Sequence, residues 1–299
     1  MINAAVFIVI IYIILYMPRR DDIVIPVFFY SGGMKVAKRF VCPAHEERYA
    51  GRFSYDPGEL LAIALDEQRE KGDALLRLPL FPLAEAEALG ASVIETPEGA
   101  WIREKVFSKP EQLPESCLAG QRIDAAILCA GLAAERHIPV LFELHGLLTV
   151  LDGLLPTVQV YKMLRQDHPY LRRLCRSLAV FAGRSGYSGL TVFSFADPLA
   201  DMMLIGEKNF REHYLPLLNC LLADMRELCP GTLVHLCGKL SQAMLDCGAA
   251  EARRIELPHS MSLGEAYLSM LGRDVFRVFG QDCVNCTGIR RQWVTQLEL

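Results

Sequence analysis

The sequence predicts an α/β protein and, within that class, a single-domain (β/α)8 TIM barrel. Short apolar runs alternate with longer helical patterns from residue 22 onward, which is typical of a parallel sheet covered by helices. The runs are almost continuous in Val, Ile, Leu and Phe, as in strands that are buried on both faces. The body of the chain also has the usual length of one such barrel, about 250 residues. We therefore expect a hydrophobic segment at 1–20 and one barrel domain at 21–299.

The apolar runs give seven candidate strands and one weaker candidate. The seven are residues 23–30, 73–78, 139–144, 190–195, 233–237, 253–257 and 275–280, and the weaker one is 92–95. The expected helices cover about 57–71, 121–136, 157–184, 208–228, 239–248 and 262–271. Residues 96–107, TPEGAWIREKVF, have Pro-Glu-Gly between two β-like arms, which predicts a small hairpin inserted into a βα loop.

The composition indicates a folded chain in a reducing compartment. With 52% hydrophobic and 22% charged residues, a disordered or low-complexity chain is excluded. The net charge of −4 gives no positive field for phosphate backbones, so we expect no nucleic-acid partner. The 10 cysteines are too dilute for a small disulfide scaffold, and their crowding toward the C-terminus favours reduced thiols or metal ligands. These features predict a cytoplasmic protein.

Residues 2–17, INAAVFIVIIYIILYM, form an apolar run that is followed by two arginines. The run is shorter than the roughly 20 residues of a spanning helix. A secretory signal would carry its positive charge before the run instead of after it. Membrane contact through 2–17 would leave the body in the cytoplasm by the positive-inside rule. The alternatives are a helix or strand that covers one end of the fold, or a start that is not native.

The active site of a (β/α)8 barrel lies at the C-terminal ends of its strands, so chemistry is expected just after each apolar run. The polar residues found there are Tyr30, His145, Asp197, His235, Cys237, His259, Cys283 and Cys286. His235 and Cys237 are two residues apart, so both side chains point the same way and could bind one ion. The alternative for this pair is a buried thiol beside a hydrogen-bonded histidine.

Cys283 and Cys286 follow another strand and would face the same barrel mouth. With His235 and Cys237 they would complete a His/Cys/Cys set with an open fourth position, which is typical of catalytic zinc. The alternatives for the Cys-x-x-Cys are a redox pair or half of a four-cysteine zinc knuckle. The sequence holds no second Cys-x-x-Cys to close a knuckle, and redox motifs of this type open a helix in a thioredoxin-like unit.

Residues 193–248 resemble the uroporphyrinogen decarboxylase superfamily, particularly its methylcobalamin:coenzyme M methyltransferase branch. The similarity rests on an Asp-Pro at Asp197 and a His-x-Cys-Gly that starts at His235, and weaker similarity extends over most of residues 22–282. The resemblance implies a TIM barrel that transfers a methyl group between a corrinoid and a thiol, with zinc bound by His235 and Cys237. The chain lacks an Asp-x-His-x-x-Gly corrinoid motif, so the methylcobalamin-type cofactor is expected on a separate carrier protein.

Three departures from the family pattern keep alternatives open. The decarboxylases' arginine-rich turn and their aspartate after the second strand are replaced by YSGGMKVAKRF and LRLPLF. The methyltransferases' Asn after His-x-Cys-Gly is replaced by Lys239. Their third zinc ligand, a later cysteine, has no match, so Cys283 is the expected substitute and Cys286 the alternate. A decarboxylase and an inactive corrinoid-protein docking module are the rival functions.

Three further residues are candidates for the catalytic site. His145 and Asp197 would orient the zinc ligands or the substrate, and each could equally be a rim residue whose hydrogen bonds are satisfied within the fold. Tyr30 is expected to line the pocket.

Overall fold

The computed structural model describes residues 53–79, 81, 83–96, 99–187, 189–272, 275–284 and 289–299. All of them belong to one compact unit of the chain. Four predictions lie outside the described residues: the apolar run 2–17, the strand 23–30, Tyr30 and Cys286. Among the described residues, none of the helices has the length and apolar character that crossing a membrane requires.

The described elements alternate as the sequence pattern predicts. The strands are β1 (Leu76–Leu78), β2 (Ser92–Thr96), β3 (Gly99–Glu104), β4 (Val140–His145), β5 (Thr191–Ala196), β6 (Leu233–Leu236), β7 (Glu251–Met261), β8 (Arg277–Gly280) and β9 (Arg291–Glu298). The helices are α1 (Pro57–Lys71), α2 (Ala84–Ala88), α3 (Gln121–Glu135), α4 (Leu147–Asp152), α5 (Thr157–Arg165), α6 (Pro169–Ser185), α7 (Met202–Ile205), α8 (Glu207–Asn209), α9 (Leu215–Leu228), α10 (Gly238–Asp246) and α11 (Leu263–Met270). Shorter turns are the 3-10 segments Pro110–Gln112 and Pro198–Ala200 and the π-helical Phe210–Tyr214.

The main sheet has the strand order β1-β4-β5-β6-β8-β9-β7. Its first five strands are mutually parallel, which confirms the α/β class with a mostly parallel central sheet. Among the described strands, β1 and β7 form the two edges and do not pair with each other, so closure into a barrel is not confirmed.

Two strand predictions need correction. The candidate 253–257 belongs to β7, which pairs antiparallel with β9 instead of joining the parallel set. The physical reason is that β9 returns antiparallel beside β8 and occupies the edge that a further parallel strand would need. The weak candidate 92–95 lies outside the main sheet, because it forms the first arm of the β2–β3 hairpin. The predicted hairpin exists, but it begins at Ser92 instead of Thr96.

The predicted helices are present, but two of them are divided. The helix expected at 208–228 comprises part of α8, the π-helical segment Phe210–Tyr214 and α9. Helix α1 starts after Asp56, whose carboxylate accepts the Glu59 N–H at 2.8 Å, and it ends at Gly72 with φ +64°. The single helix expected at 157–184 is two helices, α5 and α6. Asp167 lies between them with φ +48°, a left-handed conformation that does not continue a helix.

The two faces of the sheet pack against different elements. The outer face joins the large helical core through Val140, Phe142, Leu144, Phe193, Phe195, Val234, Leu236 and Val278. The inner face packs against α11 through Leu75, Leu141, Val192, Leu233 and Phe279. Because side chains alternate along a strand, Arg77, Glu143, Ser194 and His235 also lie on the inner face. Ala266, Tyr267 and Met270 of α11 pack against this face.

Candidate active site at the carboxyl edge of the sheet

Four of the predicted site residues lie along the edge where the parallel strands end. His145 is the last residue of β4, and Asp197, Cys237 and Cys283 follow β5, β6 and β8. His145 pairs with Ala196, and the Cys237 N–H donates to the Phe195 carbonyl at 2.9 Å. His145 and Cys237 therefore occupy one row across three strands, which corresponds to about 10 Å between their backbones.

His235 has the most distinctive environment of these residues. Its side chain is only 1% exposed, and its Nδ1 lies 2.7 Å from the Tyr267 hydroxyl. Its Nε2 is buried and has no hydrogen-bond partner among the described residues. Burial and the positive charge of Arg291 lower the His235 pKa to about 3, against a smaller opposing effect of the Asp282 backbone. The imidazole is therefore neutral at physiological pH. If Nδ1–H donates to Tyr267, Nε2 presents a lone pair, as in metal-ligating histidines.

The two cysteines near His235 differ in exposure. Cys237 is half-buried and is the N-cap residue of α10, where the positive end of a helix favours a thiolate. Cys283 is buried, with 6% of its surface exposed. No three His, Cys, Asp or Glu side chains in the described part of the chain are grouped closely enough to hold a metal ion. The structure therefore brings the predicted zinc ligands to one edge without forming a ready metal site.

Lys239, which follows the motif His235–Gly238, belongs to an ion pair. Its ammonium lies 3.2 Å from Asp201 Oδ2, and Asp201 caps α7 by accepting the Met203 N–H. Lys239 thus connects α10 to the segment that follows Asp197. Another rim candidate, His259, lies exposed near the carboxyl end of β7, which β9 separates from β8.

His145 is paired with a carboxylate that the sequence analysis did not single out. Glu85, only 1% exposed in α2, accepts the His145 backbone N–H at 2.9 Å, and its other oxygen lies 3.1 Å from His145 Nδ1. Burial lowers the His145 pKa, but the carboxylates of Glu85, Glu143 and Asp197 outweigh it, so the pKa is raised above 6.5. The two residues are 60 positions apart, and no spacing rule connects them. The only sequence feature that could have indicated this partner of His145 was a carboxylate within the alanine-rich run Ala84–Ala88.

We expect Glu85→Gln to lower the His145 pKa. A group with a raised folded-state pKa stabilises the fold at low pH, and this contribution is lost as pH rises from 6.5 through the folded-state value. NMR titration of the His145 ring protons measures the pKa directly. The exposed Glu104→Gln in β3 is the control and should leave it unchanged. An unshifted His145 titration in Glu85→Gln would contradict the pairing.

Both carboxylate oxygens of Asp197 accept hydrogen bonds from neighbouring residues. Its Oδ2 accepts the Leu148 N–H at 3.0 Å and the Tyr214 hydroxyl at 2.9 Å. Its Oδ1 accepts the Thr149 N–H at 3.0 Å and the Thr149 hydroxyl at 2.7 Å. Burial raises the Asp197 pKa, and these hydrogen bonds reduce the shift. The carboxylate therefore caps α4, which favours the rim interpretation over a direct role at the substrate.

A buried ion-pair cluster also lies on the inner face of the sheet. Arg77 of β1 pairs with Asp73 at 3.1 Å and with Glu143 at 3.2 Å, and it donates to the Val284 carbonyl. The surrounding runs have the pattern of apolar strands, and that pattern does not predict this cluster. It connects the first strand of the sheet to the turn that contains Cys283.

Comparisons with known proteins establish no family for the chain. No protein-family model matches it, and no curated protein matches it. One solved structure with similarity is a methyltransferase from Methanosarcina mazei, with 18% identity and a TM-score of 0.48. The aligned region covers 65% of this chain and 61% of that chain, so the match spans about three fifths of the other protein.

Proposed function

We propose that this protein is a zinc-dependent methyltransferase that moves a methyl group between a corrinoid and a small thiol. The observation that carries the proposal is the His235 imidazole, which is buried and held by Tyr267, with Nε2 unpartnered among the described residues. It lies two residues before Cys237, in the motif that resembles the zinc site of corrinoid-dependent methyltransferases. A closed (β/α)8 barrel, a cytoplasmic location and a separate corrinoid carrier protein are parts of the same proposal.

The proposed zinc ligands are His235 Nε2 and the thiolates of Cys237 and Cys283, with Cys286 as the alternate to Cys283. Among the described residues, these side chains are not grouped closely enough to hold a metal ion. They would therefore have to move closer together for zinc to bind. Zinc held there would keep a substrate thiol in its thiolate form. Tyr267 holds the orientation of the His235 ring through its contact with Nδ1, and the start of α10 favours ionisation of Cys237.

The remaining roles follow from position at the same edge. His145, with Glu85 behind it, is a protonatable group in the row of Cys237 and is proposed to orient the substrate. Asp197 supports this edge by holding α4, which follows His145 in the chain. Tyr30 is proposed to line the pocket.

Absorption spectra of methylcobalamin, mixed with the protein and coenzyme M or homocysteine, test this function. Zinc-dependent demethylation is the expected result. Carbon dioxide release from uroporphyrinogen would instead favour a decarboxylase. Tight binding of a corrinoid carrier protein with neither reaction would favour an inactive docking module. Absence of demethylation by zinc-loaded protein would contradict the proposal.

The third zinc ligand has its own test. We expect Cys283→Ser to lower zinc affinity far more than Cys286→Ser, because catalytic zinc takes three protein ligands and Cys283 directly follows the β8 edge. Cys247→Ser is the control, since Cys247 is buried at the far end of α10. Competition with a chromogenic chelator measures all three affinities. Equal affinities across the three variants would place the third ligand elsewhere.

A further inference from the structure

Strand β7 leaves one long edge of the main sheet open. It is the last strand in the sheet order, and among the described residues only β9 pairs with it. The strand runs over 11 residues, Glu251–Met261, and most of them are exposed. Because the backbone groups alternate in direction along a strand, every second residue of β7 points its N–H and C=O away from β9. An open edge of this kind is where a further strand can add to a sheet.

The side chains near the middle of β7 alternate between charged and apolar. Arg254 and Glu256 are two residues apart, so they lie on the same face and form an exposed ion pair. The Arg254 guanidinium also lies 3.8 Å from the ring centre of Trp293, which is directly opposite Glu256 on β9. Ile255 lies between them on the other face, where it packs beside the α11 core and is only partly buried. The middle of the open edge therefore carries one positive, one apolar and one negative side chain in sequence.

This order of side chains is complementary to itself. If two β7 strands pair antiparallel about a two-fold axis perpendicular to the sheet, each side chain stays on its own face. With the axis at Ile255, Arg254 of each copy would lie directly opposite Glu256 of the other copy. The two Ile255 side chains would meet at the axis. Opposite charges directly across an antiparallel pair stabilise it, and so do apolar pairs.

The neighbouring registers of the same strand pair are unfavourable. With the axis one residue earlier, the two Arg254 guanidinium groups would face each other. With the axis one residue later, the two Glu256 carboxylates would face each other. Like charges directly opposite one another destabilise a strand pair, so the charges favour the register centred on Ile255. Edge charges of a single sign, which protect an open edge from pairing, would instead give repulsion in all three registers.

We propose that the protein forms a two-fold symmetric homodimer in which the β7 strands of two copies pair antiparallel about Ile255. The sheets of the two copies then become one continuous sheet, and pairing along residues 251–259 gives partners to backbone groups that point outward in one copy. A contact between two strand edges is smaller than the roughly 1,600 Å² of a standard stable interface. The expected dimer is therefore weak, with a Kd on the order of 10 μM.

Sedimentation velocity of the reduced full chain, from about 1 to 200 μM, measures this association. Arg254→Glu and Glu256→Arg should each weaken the dimer on the order of tenfold, because each puts like charges together at both symmetric contacts. The double variant should recover the affinity of the unaltered protein, since it restores opposite charges in reversed order. Arg211→Glu is the matched control, because Arg211 pairs with the exposed Glu207 at 2.8 Å outside β7, and its dimer affinity should not change.

A disulfide at the two-fold axis tests the register. Ile255→Cys should link two copies on mild oxidation, because directly opposite residues of an antiparallel pair have Cα atoms about 4.5–5.5 Å apart. Ala252→Cys is the control, since Ala252 is exposed on the same strand but its two copies would lie about 20 Å apart. Peptide mass spectrometry distinguishes these links from any between native cysteines. A protein that stays monomeric at every concentration would overturn the proposal, and so would a dimer that both single charge variants leave unchanged.

Discussion

Replacing Gly146 by alanine is expected to lower the free energy of unfolding by about 3 kcal/mol. The new β-carbon would lie 2.2 to 2.4 Å from three atoms of the Asp197 side chain, which no real contact permits. Asp197 would have to move, and this would break its hydrogen bonds to Leu148, Thr149 and Tyr214. Buried donors left without an acceptor add to the cost of the steric clash. Urea denaturation followed by circular dichroism measures the change.

Gly264→Ala is the matched control for this substitution. Gly264 lies within α11, and its added β-carbon would meet the Ala74 β-carbon at 3.4 Å and the Ala74 nitrogen at 3.8 Å, which are ordinary contacts. Alanine is the better helix former, so the control should be neutral or stabilising by up to about 1 kcal/mol. A Gly146→Ala protein as stable as the control would show that Asp197 does not anchor α4 in this way.

Replacing His235 or Cys237 by alanine is expected to abolish zinc binding. The reduced protein should carry about one zinc per chain, and loss of either ligand leaves fewer than the three protein ligands of a catalytic site. Plasma emission analysis of purified protein measures the stoichiometry. The controls are His213→Ala, whose ring pairs with Asp167 at 3.0 Å, and Cys220→Ala on the exposed side of α9. Stoichiometric zinc that survives both ligand replacements would contradict the site.

The sequence pattern predicted the parallel part of the sheet because its strands are buried on both faces. Strand β4, for example, is a continuous apolar run with a single internal carboxylate, Glu143. Strand β9 was missed because only part of it is buried, and its sequence RQWVTQLE mixes polar and apolar residues. Without β9, nothing in the sequence indicated that 253–257 would pair antiparallel. The pattern of apolar residues along a strand indicates which of its residues are buried. It does not indicate which other strand lies beside it.

The same distinction applies to the candidate site: the positions of its residues were predictable, but their partners were not. The placement of His145, Asp197, Cys237 and Cys283 was inferred from where the apolar runs end, and in the structure these residues end or follow β4, β5, β6 and β8. The partners that define their chemistry were not predictable, because they come from distant parts of the chain. Tyr267 lies 32 residues from His235. Such pairs depend on the three-dimensional packing of α2 and α11 against the sheet, which a single sequence does not encode as a spacing. The ligand roles themselves stay predictions.

X-ray absorption at the zinc edge, before and after addition of a substrate thiol, tests zinc-bound thiol chemistry most directly. The proposal predicts one nitrogen at about 2.0–2.1 Å and two sulfurs at about 2.3 Å from the zinc. Adding coenzyme M or homocysteine should then bring in a third sulfur at the same distance, at the position that the protein ligands leave open. A zinc environment without sulfur, or one that does not change when either thiol is added, would contradict the proposed function.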